Sequence, residues 1–328
     1  MSMINAHPME ILKQKLKCIL DVVPPGAQVY YIDYPVYSNG GDILIMKGTE
    51  KFLADNKIEV LKRYSAMDFP ENLYIPEGVI ILLQGGGNFG DLYLSHQRLR
   101  EQIVTSYPSH RIVVLPQTIY YKEQEEYDKT AAIFNRHKDL HIYTRDKSCY
   151  ELAKIKFESC HIYLSPDMAH QLWPIIPKNQ SILDKLYFLR TDIEGGKEPE
   201  DLSGVAQENC YDWSSLFSYV EKKIIGVFVK LHSIKRKTGI KLSVDRLWYK
   251  YADYLIKKTV KLFGKYRSVQ TSRLHGHILS CLMDKENILI DNSYGKNLSY
   301  YNTWTYQCKN THLHVSGSIL KSTETKSP

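Results

Sequence analysis

Apolar residues gather in short runs along the first half of the chain. Each run leads into a polar or glycine-rich turn, and then into a stretch whose apolar positions recur at helical spacing. The runs Val29–Ile32, Val79–Leu83, Ile112–Leu115, His141–Tyr143 and Ile162–Leu164 predict strands, because a short apolar run bounded by turn residues suits a strand buried on both faces. Helices are expected from Ile43 to about Asn56, from Asp91 to Tyr107, near 123–137 and near 147–156. Strand and helix alternating in this way imply βαβ units around a parallel sheet.

The alternation breaks at "SPDMAHQLWPIIPKNQ", where Pro166, Pro174 and Pro177 interrupt any helix. A crossover between two domains is expected there, with a boundary near residue 180. The second half opens with a strand at Leu186–Leu189 and continues through a Gly- and acid-rich loop at 194–204 and a lysine-rich region at 222–241. A helix near 244–263, a strand at 267–271, a helix near 275–283 and a strand at Ile288–Ile290 follow. The expected organisation is α/β, with two Rossmann-like domains, 1–180 and 181–315, facing a cleft, and a disordered tail at 316–328 rich in Ser, Thr and Lys. In such sheets ligands sit beyond the carboxyl ends of the strands, so the loops after strands carry the information.

Length and composition agree with this picture. At 328 residues the chain exceeds what one core usually manages, and its 43% apolar and 24% charged residues describe a soluble globular protein. No segment has the length of a secretion signal or a spanning helix, which places the protein in the cytoplasm. The six cysteines are scattered without a CxxC pair, so reduced thiols are expected rather than a zinc site or a disulfide framework. A net charge of +7 favours anionic partners.

Four strand-end loops of the first half hold small or polar residues: Ser38 to Asp42, Gly85 to Asp91, Pro116 to Thr118, and Thr144 to Asp146. Residues 85–90 match G-x-G-x-x-G, yet the next strand ends in Leu-Pro-Gln without the acidic residue that a dinucleotide ribose requires, and Asp91 would repel a pyrophosphate. The alternative for Asp42 and Asp91 is a helix N-cap. In the second half, "TSRLHGHILS" places Arg273 and His275 in a strand-to-helix turn, a guanidinium fork beside a group that exchanges protons near neutral pH. His275 and His277 as metal ligands are a weaker reading, since no third ligand is near in sequence. Arg190 closes the strand in "FLRTD", and "DNSYGKN" supplies Lys296. Cations at several strand ends suit a small multiply charged anion.

The segments "SNGGD", "QGGGNFGD", "LPQT", "TRDKSCYEL", "SPDMAH", "LRTD", "SRLHGHI" and "IDNSYGKN", in that order over nearly the whole chain, resemble the polysaccharide pyruvyl transferase family, and within it the EpsO-type enzymes of biofilm exopolysaccharide synthesis. The resemblance implies a GT-B-like architecture, phosphoenolpyruvate as donor substrate, a saccharide acceptor, and neither cofactor nor metal. It assigns Arg273 and His275 as catalytic and, with Arg190, to the donor side; Lys296 is expected to join Arg190, Arg273 and His275 there from its place after a strand. Asn39, Asp42, Gly85, Gly86, Gly87, Asn88 and Asp91 are expected to meet the acceptor, the three glycines forming a floor beneath the sugar. A lipid-linked acceptor is one expectation, with contact to membrane-bound polysaccharide machinery at the inner face of the membrane and no nucleic-acid partner. Two other functions compete: a GT-B-type glycosyltransferase using a nucleotide sugar, and a non-enzymatic binding protein for an anionic polymer. The segment Met9–Val23 is expected to cap the core with Leu12, Leu16, Ile19 and Val23, and the basic run 230–241 to be a solvated loop.

Overall fold

A computed structural model describes residues 6–178, 181–192, 209–239, 243–315 and 318–320. In chain order the first half comprises α1 (Pro8–Lys15), β1 (Gln28–Ile32), α2 (Gly40–Asp55), β2 (Glu59–Tyr64), β3 (Ile80–Leu83), β4 (Gly86–Phe89), α3 (Leu94–Ser106), β5 (Ile112–Ile119), α4 (Gln124–Phe134), β6 (Leu140–Thr144), α5 (Lys147–Lys156) and β7 (His161–Leu164). After a short 3-10 turn at Met168–Leu172 come β8 (Leu183–Phe188), β9 (Cys210–Tyr211), α6 (Trp213–Leu216), α7 (Tyr219–Thr238), α8 (Val244–Gly264), β10 (Tyr266–Thr271), α9 (Leu274–Leu282), β11 (Glu286–Leu289), α10 (Lys296–Tyr300), β12 (Thr311–Val315) and β13 (Ser318–Leu320).

The strands form two sheets, ordered β2-β1-β3-β5-β6-β7 with β4 beside β5, and β13-β12-β11-β10-β8-β9. Pairing is parallel throughout except between β12 and β13. Helices cover the sheets, so β3 and β5 are buried along their whole length, which is why they read as unbroken apolar runs. The chain crosses from one sheet to the other between Leu164 and Leu183.

Several elements differ from the sequence expectation. The edge strand β2, "EVLKRY", was not foreseen, because its charges and half-buried pattern hide the strand signal. β5 does not stop at Leu115 but runs through Pro116 to Ile119; the proline sits where the register with β6 shifts, a position that needs no N–H. The last glycines of the run are themselves a strand, β4, paired with this extension. The basic run 230–241 is not a loop as far as it is described, since residues to Thr238 complete the twenty-residue α7, ended by Gly239 in the left-handed region. The expected tail contributes Ser318–Leu320 to the sheet edge, while 321–328 and the acid-rich loop 194–204 lie outside the described residues.

One apolar core runs through both halves, joining Leu16, Ile45 and Met46 of the first to Phe188, Trp248 and Ile278 of the second. Leu12, Leu16, Ile19 and Val23 are buried in it, so the N-terminal segment seals the core. Gly48 of α2 lies against the Met168 carbonyl, where any side chain would collide with backbone. This close approach holds α2 between the halves.

Candidate active site

In an open parallel sheet the loops on either side of a strand-order reversal diverge and leave a crevice. In the first sheet the reversal lies at β1, which has β2 on one side and β3 on the other. The segments that follow β1 and β3 deliver Asn39 and Asp42, and Gly87 and Asn88 of β4. In the second sheet it lies at β8, between β9 and β10. The loops after β8 and β10 deliver Arg190, and Arg273 with His275. The two crevices face each other and enclose one cavity of about 320 Å³ lined by all seven of these residues.

The halves come this close because α2 begins with two glycines. A Cβ at Gly40 would overlap the Trp213 ring, and one at Gly41 would lie 2.8 Å from His275 Nδ1. Asn39 caps α2, its Oδ1 accepting from the Gly41 N–H at 2.9 Å. The cap role weighed for Asp42 is therefore filled, and the Asp42 side chain lines the cavity near the Tyr37 phenol that bonds it.

His275 Nε2 lies 3.2 Å from Asp167 Oδ2, which also accepts from Arg145 Nη1 at 2.9 Å. Both Asp167 and Arg145 are fully buried. Burial alone would raise the Asp167 pKa, but the His275 and Arg145 charges and the Ala169 N–H hold it well below the usual carboxylate range. Asp167 therefore stays ionised and fixes the His275 ring. Arg145 Nε donates to Thr118 at 2.7 Å, while its Nη2 lies beside Gly87, at the cavity wall.

Arg273 is engaged more fully than a free anion clamp. Its Nε and Nη2 donate to the two Asp212 oxygens, each at 2.6 Å, and Nη1 lies 2.8 Å from Asp192. Asp192 also approaches Arg190 Nε at 3.1 Å, so one carboxylate bridges two cavity arginines. Lys296 Nζ donates to Tyr294 Oη at 3.0 Å and approaches Gly87 from the second half.

On the opposite wall His96 Nδ1 is 2.8 Å from Asp33 Oδ1. Burial lowers the His96 pKa, but the Asp33 carboxylate outweighs it and the net shift is upward. Asp33 is a non-glycine residue at φ 70°, strained backbone at the end of β1. Asn88 Oδ1 accepts from Arg100 and Gln117, leaving its Nδ2 as the group it can offer a ligand.

Three expected acceptor residues are not among the cavity lining. The Asp91 carboxylate accepts the backbone N–H of Lys122 and of Glu123, at 2.9 and 2.7 Å, and so ties down the approach to α4. Gly85 is needed where β3 bends against the Pro116 carbonyl, 2.9 Å from where a Cβ would stand. Gly86, at φ 136°, faces Ile45 and Asp42. Of the three glycines only Gly87 lines the cavity. His277 is core, held between Asn287 at 2.6 Å and Thr305 at 2.8 Å. Among the described residues the grouping able to hold a metal, Asp139, His141 and His161, lies at the start of β6 and β7, the opposite end of the strands.

Sequence reasoning named Arg145 only as part of a strand-end loop, without a role, and did not name Asp167, His96 or Trp213 as site residues. Arg145 and Asp167 stood in strand-end triplets, TRD and SPD, that carried a usable signal. His96 is one polar residue of an ordinary helix and carried none.

The cavity gathers cationic and acid–base side chains from both halves of the chain. A family model described as polysaccharide pyruvyl transferase matches residues 39–294, and the chain belongs to that family. It is 46% identical over 309 residues to EpsO of Bacillus subtilis (strain 168), covering 94% of this chain and 95% of that one. Pyruvyl transferase 1 of Schizosaccharomyces pombe is 29% identical over 296 residues, covering 86% of this chain and 70% of that protein. In fold, a crystal structure of an uncharacterized Klebsiella pneumoniae protein superposes with a TM-score of 0.61 at 18% identity, over 93% of this chain and 98% of that one.

Proposed function

We propose that this protein transfers pyruvate from phosphoenolpyruvate to two hydroxyls of one sugar, in an exopolysaccharide or its precursor, forming a cyclic ketal. The observation that carries the reading is the convergence of Arg145, Arg190, Arg273 and Lys296 with the His275–Asp167 pair on a cavity whose other wall presents Asp42 and Asn88. Such a cavity suits a multiply charged three-carbon acid, because an anion of that kind leaves water only for charged hydrogen-bond donors. Two Rossmann-like sheets meeting at a cleft also fit the GT-B-like layout.

In this reading the cations hold the phosphate and carboxylate, with the substrate displacing Asp192 from between Arg190 and Arg273. His275 protonates the methylene carbon as a sugar hydroxyl adds to the neighbouring carbon, and Asp42 accepts the hydroxyl proton. The C–O bond to phosphate then breaks, phosphate departs with the bond electrons, and a second hydroxyl closes the ring, its proton passing to phosphate or solvent. Asp167 keeps the His275 ring oriented, the role a buried carboxylate plays beside a catalytic histidine. Acid–base assistance contributes roughly 10²–10⁴-fold, and the remainder comes from orientation and charge.

Incubation with phosphoenolpyruvate and galactose-type acceptors tests the reading: inorganic phosphate should appear in step with a ketal on the sugar. Nucleotide release from a nucleotide sugar, with no phosphate from phosphoenolpyruvate, would overturn it.

A further inference from the structure

One face of α7 is apolar and turned to solvent. Val220, Ile224, Val227, Leu231 and Ile234 follow spacings of four and three, which aligns them in a single stripe along a helix about 30 Å long. Val220 is 65% exposed and Val227 54%, and Leu247 at the start of α8 extends the patch at 57%. Lys223, Lys230 and Lys237 recur every seven residues along one flank of the stripe, all exposed. Among the described residues none of these three lysines has a carboxylate within ion-pair distance, although Lys235 and Arg236, on another face, pair with Asp68 and Glu71. The acid of α7, Glu221, is buried and paired with Lys258 at 2.6 Å. The inner face is committed: His232 bonds Tyr34 of the first half at 2.8 Å.

An exposed apolar stripe edged by unopposed lysines has the form of a helix lying in a lipid interface, its apolar residues in the acyl boundary and its cations among anionic headgroups. A second copy of the same face would bring lysines to lysines and no carboxylate. We propose that the outer face of α7 docks on an anionic phospholipid surface. The inference rests on this face alone and not on the assignment of the cavity. It does place the cavity near the lipid, because Trp213, which lines it, is separated from the start of α7 by five residues. A saccharide carried on a lipid would be met there.

Flotation of the full chain with vesicles of phosphatidylglycerol and phosphatidylcholine tests this without any enzyme assay. The chain should float with phosphatidylglycerol-containing vesicles, be released by high salt, and stay behind with pure phosphatidylcholine. Val227→Glu with Ile234→Glu should abolish flotation. Replacing Lys223, Lys230 and Lys237 by Gln should weaken it roughly 100-fold, at about fivefold per lysine. Both sets lie on the surface, so circular dichroism should show unchanged melting. Failure of the unaltered chain to float, or flotation of both variants equal to that of the unaltered chain, would overturn the proposal. So would a dimer seen by light scattering that Val227→Glu dissociates, since a second copy would then be the occupant.

Discussion

His275 Nε2 and Asp167 Oδ2 lie 3.2 Å apart although 108 residues separate them in the chain. The contact joins the two halves at the cavity and gives the histidine its orientation. Replacing His275 by Gln should lower kcat by roughly 10²–10⁴-fold while the protein melts within a few degrees of the parent. Asp167→Asn should cost both activity and stability, because it leaves the Arg145 charge buried without its partner, a loss of about 3–5 kcal/mol. Urea titration beside steady-state phosphate release separates the two effects.

Arg273→Ala should remove turnover, but not from an undisturbed fold. The bidentate Asp212 carboxylate is nearly inaccessible to solvent, so truncating Arg273 strands a buried charge at about 3–5 kcal/mol. Arg273→Ala combined with Asp212→Ala should recover much of that stability and remain inactive. A cycle in which the double variant is no more stable than the single one would contradict this.

Asp192 bridges Arg190 and Arg273 where the donor anion is proposed to bind. Asp192→Asn removes a competing negative charge from a partly exposed pair, and should tighten phosphoenolpyruvate binding by about fivefold, the effect of ~1 kcal/mol. Calorimetric titration without acceptor reads the change directly. Weaker binding would mean that Asp192 positions the arginines rather than competing.

Acidification should destabilise the fold in two stages. His170 and His277 are buried, and burial lowers the pKa of each to about 4. Between about pH 6.5 and that value the unfolded chain binds protons that the folded one does not, so stability falls as pH drops through this window. Asp167 acts lower: its depressed pKa contributes stability above about pH 4, and this is lost as pH falls further. Denaturation midpoints from pH 7.5 to 3.5 should follow this course, and the upper stage should shrink in His277→Gln.

Gly40→Ala should destabilise by about 1–3 kcal/mol, the usual cost of forcing a side chain into a packed interior, because its methyl would overlap the Trp213 ring. Phosphoenolpyruvate affinity should fall with it, since α2 and the second half must separate. An unchanged melting temperature would show that Trp213 moves freely.

Periodicity and turn chemistry fixed much locally. Buried parallel strands such as Ile80–Leu83 need apolar side chains on both faces, and strand-end loops need Gly, Asn and Asp, so the alternation and the loops that bear Asn39, Gly87, Arg190 and Arg273 were readable residue by residue. The ordered motifs were enough to name the family. Only the tertiary structure decided which loops meet. Strand order is not written in local pattern, and it is the reversals at β1 and β8 that open the crevices and aim them at each other. The same limit explains why Gly85, Gly86 and Asp91 read as ligand contacts: a glycine beside a carbonyl and a carboxylate on backbone N–H groups look like site residues until the neighbouring strand is in place. His275 needed Asp167 and Arg273 needed Asp212, partners 108 and 61 positions away. Charge pairing inside a protein is set by distance in space, which the order of residues does not contain.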